Sequence, residues 1–405
     1  MKMKVLLSAL LMLLCVSVNS TLAKRGCRRT EHSMAQTTTN LLRDYFGSNN
    51  NLGIKSRRER VRHALEDLRT TSGFPGAIAG VYYADGRSFA VAVGYSDRER
   101  KTPMKETDLM HGGSVGKTLF AALALQLVAE GRLSLDNKIS KYLAREPWFA
   151  GLPNASTITV RMLLNHTSGM GEYGDAFMKS LVDSPGKEHS PLEAVTSISG
   201  TKPHNAAGAA FSYSDINYQV LAFVIEHVTG RSAYDDIRRR ILKPLHLQRI
   251  VPADRPKIPG LIPGYAGAKN PFGGDKMLVN GALTFDPRFE WAGGGYITNP
   301  RDLARWIADF CEGRAFSPKL LPEVLTTVDA PGLGKGSRSG LGVEVEPTPL
   351  GEAYGHGGFF PGYFTQVRWY PRERIAVAIQ INTSENSLVK RSLKEVADDL
   401  AKAAQ

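Results

Sequence analysis

Apolar positions change their period along the chain, and the changes mark its elements. From Lys55 to about Thr70, Val61, Leu65 and Leu68 recur at the spacing of one helix face. Gly73, Pro75 and Gly76 end that helix. "AIAGVYYA" (77–84) and "SFAVAVGY" (88–95) then read as strands, and "ADGR" between them carries an Asp-Gly turn signal. The pair is expected to be an antiparallel hairpin.

The middle of the chain is helical in pattern. Ser114 to Glu130 reads as one long apolar helix stopped by Gly131. Further helices are expected near Val160–Leu164, from about Asp215 to Val228, and over Tyr234 to Leu242. Residues 250–280, rich in Pro and Gly, read as a long surface excursion. Asn299-Pro300 opens another helix, since Asn suits the N-cap and Pro the first turn, with Leu303, Trp306, Ile307 and Phe310 as its buried stripe. Strand-type runs return in "GLGVEVE" (340–346), "FTQVRWYP" (364–371) and "RIAVAIQIN" (374–382). A closing helix over about 386–402 turns Leu388, Leu393, Val396 and Leu400 inward. The order predicts an α/β (α+β) chain. One sheet domain is built from residues 54–110 and 285–405, and a mostly helical domain, residues 111–284, is inserted in it.

Composition agrees with a globular protein with a sizeable core: 42% of residues are hydrophobic and 22% charged. The first residues differ. Lys2 and Lys4 precede an apolar run from Val5 to about Val18, followed by small residues. This is the order of a secretory signal peptide, and the run is shorter than the roughly 20 residues of a membrane span. Residues 1–23 are read as that signal, with cleavage after Ser20 or Ala23, and the mature protein as secreted or periplasmic with no transmembrane anchor.

The formal net charge is +12, concentrated early: residues 24–62 hold ten Lys or Arg against Glu31, Asp44 and Glu59. Residues 24–53 read as a flexible basic lead-in that can contact anionic surfaces, although a solvated tail explains the charge as well. No nucleic-acid motif accompanies it. Beyond the signal only Cys27 and Cys311 remain, which permits a bridge but makes neither a disulfide framework nor a metal site.

"HGGSVGKT" (111–118) carries the candidate chemistry. A phosphate loop would need Gly where His111 stands. G-x-S-x-G also fits a nucleophile elbow, but that motif belongs to alternating strands and helices, and a long helical region follows here. The third reading is S-x-x-K. Residues i and i+3 share a helix face, so the Lys117 amine reaches Ser114 Oγ. The helix N-terminus favours the oxyanion of acyl transfer, and burial would lower the lysine pKa and make it a usable base.

Partners lie downstream. "FSYSDINYQVLAFVIE" (211–226) presents Tyr213 at a helix mouth, followed by Ser214 and Asp215, and "YGHGGFFPGY" (354–363) presents His356, Gly357 and Gly358. With "VAEGRLSLDNKISKYL" (128–143), "VRMLLNHTSGM" (160–170) and "AGGGYITNPRDLARW" (292–306), the chain resembles the serine β-lactamase and D-alanyl-D-alanine peptidase family, its class C-like branch in particular, from about Val81 to Asn382.

That resemblance implies an antiparallel sheet flanked by terminal helices, with the active site at the interface to the helical insert. It implies Ser114 as the acylated nucleophile, Lys117 as assistant in proton removal and Tyr213 as proton shuttle. The N–H groups of Ser114 and Phe359 would form the oxyanion hole, His356 would face the substrate, and Gly357 and Gly358 would let its backbone come close. His166 is expected to tie down a loop.

Two positions depart from the family pattern. Asp215 stands where Y-x-N has Asn and can hold Lys117 charged, and His356 stands where the family often has Lys. Loss of that fixed cation moves the expectation from β-lactamase towards a D-alanyl-D-alanine carboxypeptidase-like peptidase. The alternatives are an esterase on small acyl esters, a β-lactamase, and a non-catalytic binder of cell-wall peptide. The partner is then a small-molecule or peptide substrate, and no cofactor or metal is expected.

Overall fold

The computed structural model describes residues 53–405; the signal-peptide reading, Cys27 and nearly all of the basic lead-in lie outside the described residues. The first described element is helix α1, residues 53–72, whose Val61, Leu65 and Leu68 are buried as their spacing predicts. The hairpin follows as β1 (Gly76–Tyr83) and β2 (Ser88–Asp97), paired antiparallel with Ala79 opposite Val91.

The later strands are β3 (Glu344–Thr348), β4 (Gly351–Phe360), β5 (Tyr363–Tyr370) and β6 (Ile375–Ile381). β6 pairs with β1, and the described residues form an antiparallel sheet in the order β2-β1-β6-β5-β4-β3, extended by two-residue strands at each edge. Segments from both sides of the helical stretch thus make one sheet, as expected.

Both faces of this sheet are covered. Along β5, Val367 and Trp369 join the apolar core, while Arg368 and Tyr370 point to the other face and bind Asp398 at 2.6 and 2.7 Å. Asp398 belongs to helix α5 (Leu393–Ala404), and the core side is covered by α4 (Pro300–Cys311). A strand covered on both sides has no solvent face, which is why all of "IAVAIQI" in β6 is buried instead of alternating. Gly80 brings α4 close, because a Cβ there would sit 2.2 Å from the Pro300 carbonyl oxygen.

Between the two halves of the sheet, α2 (Lys117–Ala129) is apolar almost all round and buried. Helix α3 (Asp215–Thr229) packs against it, capped by Ser214 and ended by Gly230 at φ 67°. One hydrophobic cluster joins α2, α3, α4, β5 and β6.

Three expectations need correction. Ser114 lies in a 3₁₀ turn, Gly113–Gly116, and the α-helix begins only at Lys117. Residues 250–280 are not a surface excursion: Ala253 and Met277 are fully buried in a second core, and Tyr265 is fully buried as well. The closing helix starts at Leu393 and not near 386. Asn386–Leu388 is a separate 3₁₀ turn with no side-chain cap, and the capping box of Ser392 and Glu395 opens the helix after it. His356 stands on a strand, as the resemblance implies, and that strand runs the ten residues of "GEAYGHGGFF" despite its four glycines.

Cys311 carries a free thiol. No helix among the described residues is long and apolar enough to cross a membrane.

Candidate active site

The turn that carries Ser114 is held by backbone on three sides. Met110–His111 pairs with the strand Tyr296–Thr298, and Gly112 N–H donates to the Tyr296 carbonyl at 2.8 Å. The buried His111 ring stacks on Phe360 at 3.5 Å and accepts the Gly113 N–H at Nδ1, 3.0 Å away. Burial pushes the His111 pKa down to about 3, so the imidazole stays neutral and able to accept.

Gly113 has φ 55° and abuts β4: a Cβ on it would lie 2.5 Å from the Phe359 nitrogen. A Cβ on Gly358 would lie 2.1 Å from the Gly112 oxygen, and one on Gly294 2.8 Å from the Ser114 nitrogen. Glycine at these positions is what lets the nucleophile turn wedge between β4 and the 292–295 segment. The Phe359 amide is thereby brought beside Ser114, as the oxyanion-hole expectation requires.

In a 3₁₀ turn residues i and i+3 eclipse, and Lys117 Nζ donates to Ser114 Oγ at 2.9 Å. Lys117 is fully buried and also donates to the Gly293 carbonyl. Its Nζ lies 2.5 Å from Asp215 Oδ1. Burial alone would lower the lysine pKa, but the charge of Asp215 outweighs it, helped by Tyr213 and Glu290, and holds the ammonium well above its ordinary value. The expected neutral resting base is therefore corrected to an ammonium paired with a carboxylate.

Tyr213 is placed by the start of α3. Ser214 caps the helix and donates to the Gly171 carbonyl at 2.7 Å. His166, at φ 59°, stacks on the Tyr213 ring at 4.3 Å and accepts the Ser214 N–H at 3.3 Å. Lys117 Nζ lies 5.2 Å from the centre of the Tyr213 ring, and burial raises the Tyr213 pKa against the pull of Lys117.

His356 lies on β4 with Gly357 and Gly358, and all three line a cleft of about 710 Å³ together with Ser114, Tyr213 and the 56%-exposed Phe359. Burial, with the Lys117 charge, lowers the His356 pKa to about 4. The ring is neutral at pH 7. Arg391 and Lys394 line the far part of the same cleft.

All eight predicted site residues thus gather around one turn. Sequence reasoning missed the acids behind it. Glu172 accepts the Asp215 N–H at 3.1 and 3.3 Å, and the buried Glu290 has its pKa pushed up to about 8 by burial and by Asp215. Neither sits in a motif that could have flagged it. The Gly293 carbonyl leaves no side-chain signal at all.

Comparison with known proteins gives a consistent picture. The family model described as Beta-lactamase matches residues 61–402. Teichoic acid D-alanine hydrolase of Staphylococcus aureus is 28% identical over 341 residues, 84% of this chain and 77% of that protein. A D-stereospecific amidohydrolase from Streptomyces sp. superposes with a TM-score of 0.68 at 27% identity, over 82% of this chain and 97% of that one. D-amino acid amidase from Ochrobactrum anthropi SV3 gives a TM-score of 0.72 over 86% and 98% of the two chains; at 22% identity that likeness speaks to the fold.

Proposed function

The chain belongs to the Beta-lactamase family, and from that premise we propose that it is an acyl-enzyme serine hydrolase removing D-alanyl or similar D-aminoacyl groups from esters or amides. The observation that carries the reading is the charge around Ser114. Asp215 and Glu172 stand together behind it, and His356 on the cleft wall is neutral. Acids suit an acyl group with a free ammonium. The names of two relatives point to the same chemistry, one a D-alanine hydrolase of teichoic acid and the other a D-stereospecific amidohydrolase. The leader pattern of residues 1–23 is the feature that supports a secreted or periplasmic site of action.

The proton inventory gives a route. A proton passed from Lys117 Nζ to Asp215 Oδ1 across 2.5 Å leaves a neutral amine 2.9 Å from Ser114 Oγ. That amine takes the serine proton as Oγ bonds to the substrate carbonyl carbon. The N–H groups of Ser114 and Phe359 hold the oxyanion, worth on the order of 3 kcal/mol per donor. Tyr213 gives its proton to the leaving oxygen or nitrogen as the bond to carbon breaks, and regains one from Lys117. Water then attacks the acyl-enzyme, and the same groups return the proton to Ser114.

A second reading keeps the site but makes the substrate a D-alanyl-D-alanine peptide. Arg391 favours it: it lines the cleft, half-exposed and paired among the described residues only with the surface carboxylate of Asp399 at 2.8 Å, as a cation for a terminal carboxylate. Intact-mass spectrometry after exposure to D-alanine methyl ester, D-alanine p-nitroanilide, a D-alanyl-D-alanine tripeptide and nitrocefin separates the readings. Turnover of the first two with a Ser114 adduct supports the D-aminoacyl reading. Turnover of the tripeptide alone supports the peptidase. A Ser114→Ala protein with full activity overturns both.

A further inference from the structure

Behind the cleft wall stands a carboxyl that the proposed chemistry does not use. Glu344 lies opposite Gly355 across β3 and β4, and its side chain, 9% exposed, lines the cleft with Ser114 and His356. Its charged neighbours are engaged elsewhere. Arg368 binds Glu346 and Asp398, and Lys394 binds Glu346 and the Leu333 carbonyl. Lys394 Nζ stays 3.9 Å from Glu344 Oε2, and that oxygen has no hydrogen-bond partner among the described residues.

The other contacts of Glu344 converge on His356. The Gly357 backbone N–H works against burial to keep the Glu344 carboxyl ionised, and its Oε1 lies 3.7 Å from His356 Nδ1. The same Nδ1 is 2.6 Å from the Gly357 carbonyl oxygen. A carbonyl can only accept, so Nδ1 bears the ring proton and Nε2 keeps its lone pair. Glu344 stands beside the same nitrogen, where its carboxylate favours a proton on Nδ1.

We infer that Glu344 is a positioning residue that locks His356 as its Nδ1–H tautomer, so that the Nε2 edge serves the substrate as a hydrogen-bond acceptor. An acceptor edge selects groups that offer N–H or O–H and disfavours a carboxylate. In this part the inference rests on the D-aminoacyl reading. The tautomer itself does not, because it exists before any substrate binds.

The full chain labelled with ¹⁵N-histidine gives the test, with His356→Asn assigning the resonance. The expected wild-type spectrum shows His356 protonated at Nδ1; protonation at Nε2 overturns the inference whether or not the protein hydrolyses anything. Glu344→Gln keeps an oxygen acceptor beside Nδ1 and should keep the tautomer, with KM for D-alanine p-nitroanilide within about twofold. Glu344→Leu should mix the tautomers and raise KM about fivefold or more while kcat changes less than about twofold. An unchanged spectrum and KM in Glu344→Leu, or equal losses in both variants, refute the positioning role.

Discussion

Lys117 and Asp215 form an ion pair at 2.5 Å in which the lysine has no exposure to solvent. The pair explains why the position after Tyr213-Ser214 matters as much as the serine. It stores, one transfer away, the base that the serine needs, and it makes the charge of each partner depend on the other.

Asp215→Asn should therefore change both stability and pH dependence. Removing one partner of a buried pair costs about 3 kcal/mol or more. With its carboxylate gone, burial lowers the Lys117 pKa, and acylation should acquire a new ascending limb between about pH 7 and 10 as the amine loses its proton. Thermal melting and stopped-flow acylation across pH measure the two effects. A wild-type stability and profile in the variant contradict this account.

Gly113→Ala should damage catalysis more than folding. The residue is at φ 55°, and the added Cβ would meet the Phe359 nitrogen at 2.5 Å. Pushing the turn from β4 misplaces Ser114 relative to the oxyanion donors, a loss of about 100-fold in acylation rate. Gly186→Ala, where a Cβ meets nothing within 4 Å, is the matched control and should acylate normally.

His166→Leu should lower kcat about tenfold and leave KM nearly unchanged. The ring stacks on Tyr213 at 4.3 Å and holds the Ser214 N–H, so its loss frees the proton shuttle without touching the cleft floor. A rise in KM with constant kcat would place His166 in substrate binding instead.

Stability should peak between about pH 5 and 6. His111, His166 and His356 have pKa values below the ordinary 6.5, chiefly through burial, so below pH 6.5 the unfolded chain binds more protons and stability falls with acid. Glu172, Glu344 and Glu290 have theirs pushed up from 4.5 to about 7, about 7 and about 8, again chiefly by burial. Above pH 4.5 the folded state holds their extra protons, and stability falls as pH rises. Three glutamates come to balance the three histidines at about pH 5.5, and well above pH 6.5 only the glutamates act. Melting temperatures from pH 4 to 9 check the position of the maximum, and Glu290→Gln should flatten the alkaline side.

What the sequence made legible was local or strongly patterned. The α4 stripe, the Asp-Gly hairpin and the span of α3 follow from periodicity and caps that act within a few residues. The ordered stretches around Ser114, Tyr213 and His356 identified parts that the fold brings together. The hidden part was set by tertiary contact. The full length of β4 did not show in local propensity, because Gly355 and Gly358 are there for close approach to Val367 and Gly112. Tyr265 and Met277 sit in a Pro- and Gly-rich stretch whose burial comes from the sheet and segments packed against it. Glu172 and Glu290 act only through their placement beside Asp215.

The wedge of Gly112 and Gly113 against Gly358 and Phe359 has a consequence for synthesis. β4 follows the nucleophile turn by some 240 residues, and β6 must also return to pair with β1 before the sheet is continuous. Contacts so far apart in sequence form late and slowly. A growing chain that has not yet reached Phe360 already carries Ser114 and Lys117 but lacks the strand that closes the turn around them. The reactive serine is assembled after the chain that bears it, so an incomplete polypeptide has no working nucleophile with which to attack its surroundings.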